Sequence, residues 1–152
     1  MKNFTREAFT MIELVFVIVV LGILAAVAIP RFSATRTDAQ ISKGRADVAS
    51  IRSAIITERQ SRLITGDSQF IAAGVGSGKL DGSATELFSG VLTYPVIASN
   101  SDGHWHTRAS SDATSSTVKY KIGTTDVVFT YTRSTGVFTC DRATTYCPEL
   151  ID

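Results

Sequence analysis

The feature that most constrains this chain is an apolar run close to its N-terminus. Between Phe9 and Ile29 only Thr10 and Glu13 are polar. The run approaches the roughly 20 residues that an α-helix, rising about 1.5 Å per residue, needs to cross a bilayer. We therefore predict a membrane-spanning helix over residues 9–29. The alternative is a secretory signal peptide, and the small residues of ILAAVA are compatible with it. The end of the run, AIPRF, however, lacks a clear signal-peptidase cleavage site.

The next segment, residues 30–66, is more polar but keeps a helical pattern. Its apolar side chains recur three, four and seven or eight positions apart, which places them on one helix face; they are Ile41, Val48, Ile51, Ile55 and Leu63. Gly66 followed by Asp67 is a typical helix stop. If Pro30 kinks the helix instead of ending it, one helix runs from about Phe9 to about Thr65 and is roughly 85 Å long.

Residues 67–152, which we call the head, have the pattern of short strands. A glycine-rich stretch, AAGVGSGKLDGSA, comes first and is interpreted as a linker. The runs VLTYPVI, TVKYKI, DVVFTYT and GVFTC then alternate with turn-forming sequences. In the second run Val118, Tyr120 and Ile122 alternate with two lysines, as in a strand with one solvated face. We predict an α+β fold in which a small antiparallel β-sheet packs on the second half of the long helix.

The composition gives no support for catalysis or for a cofactor. A net charge of +1 over 152 residues is not the basic footprint that nucleic-acid binding usually leaves, so nucleic acid stays an uncertain partner. Ser, His and Asp occur in the head, but in no catalytic spacing. His104 and His106 could share one strand face, but no third ligand lies nearby in the sequence. We predict no enzyme and no metal site, and an edge strand or loop with an exposed Trp105.

The two cysteines of the chain, Cys140 and Cys147, lie close together near the C-terminus. An even, closely spaced pair favours a disulfide in an oxidising compartment. Two unpaired thiols are the alternative. We predict the disulfide, on the condition that the head is exported.

The N-terminal residues resemble the type IV pilin and type II secretion pseudopilin family. The resemblance rests on a short basic leader ending in Ala8, on the run FTMIELVFVIVVLGILAAVAIP with its glutamate in the fifth position, and on Pro30. It covers roughly a fifth of the chain. It implies that a prepilin peptidase removes residues 1–8 by cutting between Ala8 and Phe9, and that Phe9 is then N-methylated. The family usually has glycine at the position of Ala8, and alanine is the smallest change from it.

The resemblance also implies a role for Glu13. A carboxylate in the apolar part of a bilayer costs about 2.5–3.5 kcal/mol on insertion scales, so it needs a partner. In the family this glutamate meets the amino terminus of a neighbouring subunit, which makes the new amine on Phe9 the expected partner. The alternative is a helix-end carboxylate near the lipid headgroups and the positive end of the helix dipole.

Gly22 and Pro30 bracket the second half of the span. Glycine costs about 1 kcal/mol and proline about 3 kcal/mol in a helix interior, so this stretch is the weakest part of the helix. In the resembling family the corresponding residues can unwind when subunits pack into a filament. Both residues are also common in ordinary membrane helices, and this alternative stays open.

The resemblance implies a structural subunit of a type IV pilus-like filament, assembled through residues 9–29, with residues 30–66 as an amphipathic continuation. Its partners would be identical or homologous pilin subunits, the prepilin peptidase, the inner-membrane assembly machinery and the lipid bilayer. It would cross the bacterial inner membrane once, with a cytoplasmic N-terminus and the head in the periplasm or on an extracellular filament. A pilin, a secretion pseudopilin and a DNA-uptake pseudopilin are not distinguished. A membrane-tethered, monomeric binding module is the alternative from another class.

Overall fold

A computed structural model describes residues 9–109 and 113–152 of the chain. The class is α+β, as predicted, with an N-terminal apolar helix and small antiparallel sheets. The elements, in chain order, are α1 (Met11–Ile64), β1 (Ala72–Val75), β2 (Lys79–Asp81), β3 (Glu86–Leu87), β4 (Val96–Ile97), β5 (Trp105–Ala109), β6 (Ser115–Ile122), β7 (Thr125–Thr132), β8 (Val137–Cys140) and α2 (Cys147–Ile151).

Helix α1 passes through Pro30 without ending, as the single-helix prediction required. It stops where the sequence predicts a stop. Gly66 has a positive φ of 90°, and its N–H donates to the carbonyl of Leu63 at 3.1 Å, while the N–H of Asp67 donates to the carbonyl of Arg62 at 2.9 Å. This pair of bonds is a Schellman motif, which satisfies carbonyls at the helix end that have no partner within the helix.

The chain divides into two compact units, an N-terminal unit that ends at Arg36 and a C-terminal unit, Thr37–Asp152. Most large apolar side chains of α1 before Arg36 are exposed, whereas the hydrophobic core lies in the C-terminal unit. Val48, Ile51 and Ile55 from the predicted helical stripe are fully buried in that core. Ile41 is partly buried beside them, and Leu63, near the helix end, is half exposed.

A four-stranded antiparallel sheet of order β5-β6-β7-β8 supplies the other side of the core. In β6 every second side chain is buried, including the predicted Val118, Tyr120 and Ile122. Val118 lies opposite Phe129 of β7, and both are buried. The strands predicted from TVKYKI, DVVFTYT and GVFTC are therefore confirmed, because alternation with one buried face is what such a sheet imposes.

Two sequence interpretations of the head are wrong. The glycine-rich stretch is not a linker, because it contains β1 and β2, which pair in parallel, and its Ala73 and Leu80 are fully buried. Gly74, Gly76 and Gly78 have positive φ, so they give this tight connection a backbone shape that other residues adopt only with strain. The run VLTYPVI is a strand only at Val96–Ile97, since Pro95 has no N–H to donate to a ladder.

Candidate functional site

Helix α1 begins with a reciprocal pair of hydrogen bonds between Thr10 and Glu13. The backbone N–H of Glu13 donates to the hydroxyl of Thr10 at 3.3 Å, and the backbone N–H of Thr10 donates to the carboxylate of Glu13 at 3.5 Å. The Thr10 hydroxyl also lies 3.4 Å from the same carboxylate oxygen. This is a capping box, in which two side chains satisfy backbone donors that the first helical turn leaves without partners.

The capping box gives Glu13 a partner within its own helix. This corresponds to the alternative predicted from the sequence, in which the carboxylate lies at the helix end, near the positive end of the helix dipole. Pairing of Glu13 with the Phe9 amine of a neighbouring subunit stays a prediction. The sequence signal T-x-x-E before an apolar run is the standard signature of the motif, so Thr10 could have been found beforehand.

The apolar surface that follows the capping box is continuous. Met11–Ile29 has a mean hydropathy of 3.0, and none of the span is buried. It is long and apolar enough to cross a membrane, by length and composition. A Cβ added at Gly22 would have no atom within 4 Å, so nothing described crowds this glycine. Ala8, the residue before the predicted cut, lies outside the described residues, and Phe9 is largely exposed.

Cys140 and Cys147 lie at disulfide distance, with Cα atoms 5.9 Å apart, as the sequence predicts. Cys140 ends β8 and Cys147 begins α2, a short helix that sequence patterning missed. Asp141 shapes the turn between them, because its carboxylate accepts from the N–H of Ala143 at 2.9 Å. The cysteine pair thus fixes the C-terminal helix, whose Leu150 is fully buried, to the edge strand of the sheet.

Removing the cysteine pair should destabilise the C-terminal unit. For the double variant Cys140→Ser, Cys147→Ser we expect a loss of about 2–3 kcal/mol in the free energy of unfolding, because the short closed loop no longer restricts the unfolded chain. Denaturant unfolding of wild type and variant measures the loss. Wild type treated with reductant is the control and should lose the same amount; an unchanged midpoint under reduction would contradict the bond.

The histidines of HWHT are not brought together as ligands. Nδ1 of His104 lies 3.1 Å from the backbone oxygen of Asp102. Nε2 of His106, in β5, lies 2.9 Å from the carboxylate of Asp126 in β7, across the intervening strand β6. Among the described residues no group of three His, Cys, Asp or Glu could hold a metal ion. Lys119 also approaches Asp126, at 3.5 Å.

The electrostatics at Asp126 predict a pH-dependent contribution to stability. Partial burial raises the pKa of this carboxyl, but the hydrogen bond and charge of His106 and the charge of Lys119 outweigh burial, so the net pKa is lowered. A carboxyl whose pKa is lower folded than unfolded adds stability above its unfolded pKa, near 3.9, and that stability is lost as the pH falls through the folded value.

Asp126→Asn should therefore lower the unfolding temperature at pH 5.5 and should lower it less at pH 2.5, because the contribution of the carboxylate declines as the pH falls below about 3.9. The expected difference is about 1 kcal/mol or less, because a third of the Asp126 side chain is exposed and solvent screens such pairs. Calorimetry of both proteins at the two pH values provides the measurement. Asp38→Asn, at an exposed position of α1, is a matched control for loss of one carboxylate elsewhere. A deficit of Asp126→Asn that is the same at both pH values would exclude a titrating ion pair.

Trp105 is not exposed, which corrects the sequence prediction. The residue is 1% exposed, and its ring packs edge-on or tilted against Phe88, Phe129 and Phe138 at centroid distances between 5.2 and 5.9 Å. Its indole N–H donates to the carboxylate of Asp47 in α1 at 3.0 Å. A buried tryptophan whose polar group is paired holds the helix and the sheet together. Trp105 does lie on an edge strand, β5, as the sequence predicts.

The fold and this site define a class: an α+β protein with a capped, exposed apolar helix at its N-terminus and a head packed on the second half of the same helix. A comparison with protein-family models, curated proteins and solved structures finds no match to this chain.

Proposed function

We propose that this chain is a structural subunit of a type IV pilus-like filament, as a pilin or a type II secretion pseudopilin. In this proposal a prepilin peptidase processes the chain, and the subunit then assembles with identical or homologous subunits through its N-terminal helix. It acts without catalysis. The resemblance of residues 1–30 to the prepilin motif supports the family assignment.

The observation that carries the proposal is the exposed apolar surface of Met11–Ile29 with one carboxylate, Glu13, in its first turn. So large an apolar surface must be covered by lipid or protein. A bilayer covers it before assembly, and the helices of neighbouring subunits cover it in a filament. One ionisable group on such a surface is suited to fixing the register between helices, because it is stable there only when paired.

The C-terminal unit supports a pilin-like arrangement. Val48, Ile51 and Ile55 of α1 share one core with the sheet residues, so the second half of the helix belongs to the folded head. Tyr120 of β6 donates to the backbone oxygen of Gln40 at 2.8 Å, and Trp105 binds Asp47. The second half of the helix is thus held to the sheet at several positions along its length.

The proposed location is the bacterial inner membrane, with one span, a cytoplasmic N-terminus and the head outside the cytoplasm. The cysteine pair at disulfide distance supports the location of the head, because disulfides persist in oxidising compartments such as the periplasm. The inner-membrane assembly machinery would then extract the subunit from the bilayer into the growing filament.

Processing is the first experimental test. Mass spectrometry of the protein extracted from membranes should find Phe9 at the N-terminus, carrying an N-methyl group, because the leader resembles a prepilin signal that ends at Ala8. Cells without the prepilin peptidase are the control and should retain residues 1–8. Ala8→Gly restores the usual family residue and should be cut at the same bond. An uncut N-terminus in cells that contain the peptidase would count against the proposal.

A further inference from the structure

The C-terminal unit contains a cavity of about 620 Å³ that the proposed function does not use. Its volume lies within the range of roughly 300–1,000 Å³ that is typical of small-molecule sites. The cavity lies between the end of α1, the segment before β1, and the ends of β6 and β7. Among the residues that the structure describes, its lining includes two arginines, Arg59 and Arg133, one aromatic ring, Phe70, and several hydroxyl groups, but no carboxylate.

Arg59 is held in place but lacks an acceptor for one of its donors. Its guanidinium carbon lies 4.1 Å from the centroid of the Phe70 ring, in a cation–π contact. Its Nε is buried and has no hydrogen-bond partner within residues 9–109 and 113–152. A buried donor without an acceptor is unfavourable. Arg59 lines the cavity, and because its Nε is buried, a ligand there would contact the side chain through its other atoms.

Arg133 is oriented by bonds to its neighbours. Its Nε donates to the backbone oxygen of Phe70 at 3.1 Å, and its backbone N–H donates to the carbonyl of Thr114 at 2.8 Å. Phe70 thus contacts one arginine through its ring and accepts from the other through its carbonyl. This places two guanidinium groups on one cavity, where planar forks of N–H donors fit carboxylate or phosphate oxygens.

The neighbouring carboxylates on the same elements are engaged elsewhere. Glu58 and Asp67 both pair with Arg62, at 2.9 and 3.3 Å. The Asp67 carboxylate also accepts from the N–H of Gln69 at 3.0 Å, and its pKa is lowered, mainly by this bond, so it stays ionised and bound. Within residues 9–109 and 113–152, no carboxylate on the lining of the cavity neutralises the positive charge of the two arginines.

We infer that this cavity is a binding site for a small anionic molecule with one carboxylate or phosphate group, held between Arg59 and Arg133. The hydroxyls of Thr132 and Ser134 line the same space and offer further donors to the anion. All residues of the site lie in the C-terminal unit, outside the N-terminal segment Met11–Ile29 through which assembly is proposed.

The test is anion binding by the full chain in detergent micelles, followed through the fluorescence of Trp105, the one tryptophan of the chain. Inorganic phosphate, phenyl phosphate and benzoate are the probes, so that phosphate and carboxylate groups are compared. At about 100 times its Kd a probe should raise the unfolding temperature by about 10 °C. Saturable stabilisation by a phosphate probe or by benzoate supports the site and identifies the preferred group. No stabilisation by any probe overturns it.

The variants separate the cavity from general attraction of anions to a positive surface. Arg59→Gln and Arg133→Gln should each weaken binding at least about tenfold. Arg142→Gln removes the same charge from an exposed residue that pairs with Asp152, and it should bind like wild type. Equal binding by all three variants and wild type means an adventitious ion only and overturns the inference. Ser134→Leu changes an exposed residue of the cavity lining. The larger side chain narrows the cavity and should also weaken binding, so this variant tests the inference even if an arginine variant does not fold.

Discussion

Glu13→Ala should abolish filament assembly while leaving the protein in the membrane and its head folded. The reason is that the variant removes the partner proposed for the Phe9 amine of a neighbouring subunit, and a charge left unpaired in a low-dielectric interface is strongly destabilising. Insertion should not suffer, because losing a carboxylate makes Met11–Ile29 more apolar. The measurement is filament or crosslinked-oligomer yield at matched membrane levels, in cells that contain the assembly machinery.

Because Glu13 caps its own helix and is also proposed to pair with the Phe9 amine of a neighbouring subunit, a further experiment must separate these two roles. Glu13→Gln keeps a residue that can complete a capping box but removes the charge. Thr10→Ala does the reverse, since it removes the hydroxyl that accepts from the N–H of Glu13 and leaves the carboxylate in place. If the charge pair drives assembly, Glu13→Gln should fail as Glu13→Ala does, and Thr10→Ala should still give filaments.

The opposite pattern would exclude the charge pair and assign Glu13 to helix capping alone. That pattern is abundant filaments from Glu13→Gln and few from Thr10→Ala, whose lost cap should cost about 1 kcal/mol of helix stability. A wild-type protein that forms no oligomer, although the machinery is present and residues 1–8 have been removed, would instead favour the membrane-tethered monomer. The head's unfolding temperature, read from Trp105, should be the same in all of these variants.

The helix and the main sheet could be predicted because local rules determine them. The uninterrupted apolar run, the stripe of Val48, Ile51 and Ile55, and the Gly66 stop each follow from helix geometry. The alternation in β6 follows from the two-residue period of a strand. These signals need only neighbours in sequence, and the structure agrees with each of them.

The rest of the head depends on contacts between distant residues, which one sequence does not reveal. Trp105 is buried because Asp47, 58 positions earlier, accepts from its indole and because three phenylalanines from other segments surround it. The β1–β2 pair depends on positive-φ glycines and on close approach of Gly90 to the backbone of Lys79. The cavity is lined by both Arg59 and Arg133, although these two residues are 74 positions apart in the chain. No spacing rule connects such residues.

Gly44 is a position where we expect substitution to cause a large loss of stability. It lies inside α1, where glycine is unfavourable by about 1 kcal/mol relative to alanine, so a packing reason is needed for its presence. A Cβ at this position would lie 2.6 Å from Cδ2 of Leu150 in α2 and 2.6 Å from the ring of Tyr120 in β6. The missing side chain lets the sheet and the C-terminal helix reach the backbone of α1, where Arg45 also binds the carbonyl of Glu149.

Gly44→Leu should destabilise the C-terminal unit by at least about 3 kcal/mol, since several added carbons must displace Tyr120 and Leu150 from a packed core. Gly44→Ala should also destabilise, by about 1 kcal/mol, because overpacking outweighs the gain in helix propensity. Denaturant unfolding followed by Trp105 fluorescence measures both. Gly22→Leu and Gly22→Ala, in the same helix but with no atom within 4 Å of the added Cβ, are the matched controls and should leave the midpoint unchanged.

A double-mutant cycle identifies the contact responsible. Leu150→Ala alone opens a cavity and should cost about 2–5 kcal/mol, but in the Gly44→Ala background it also removes the clash with Cδ2, so the double variant should be more stable than the sum of the single effects predicts. A favourable coupling of about 0.5 kcal/mol or more is expected for residues in contact. Additive effects, or a Gly44→Ala protein more stable than wild type, would show that Leu150 and Tyr120 do not pack against this glycine and that its place in the helix has another cause.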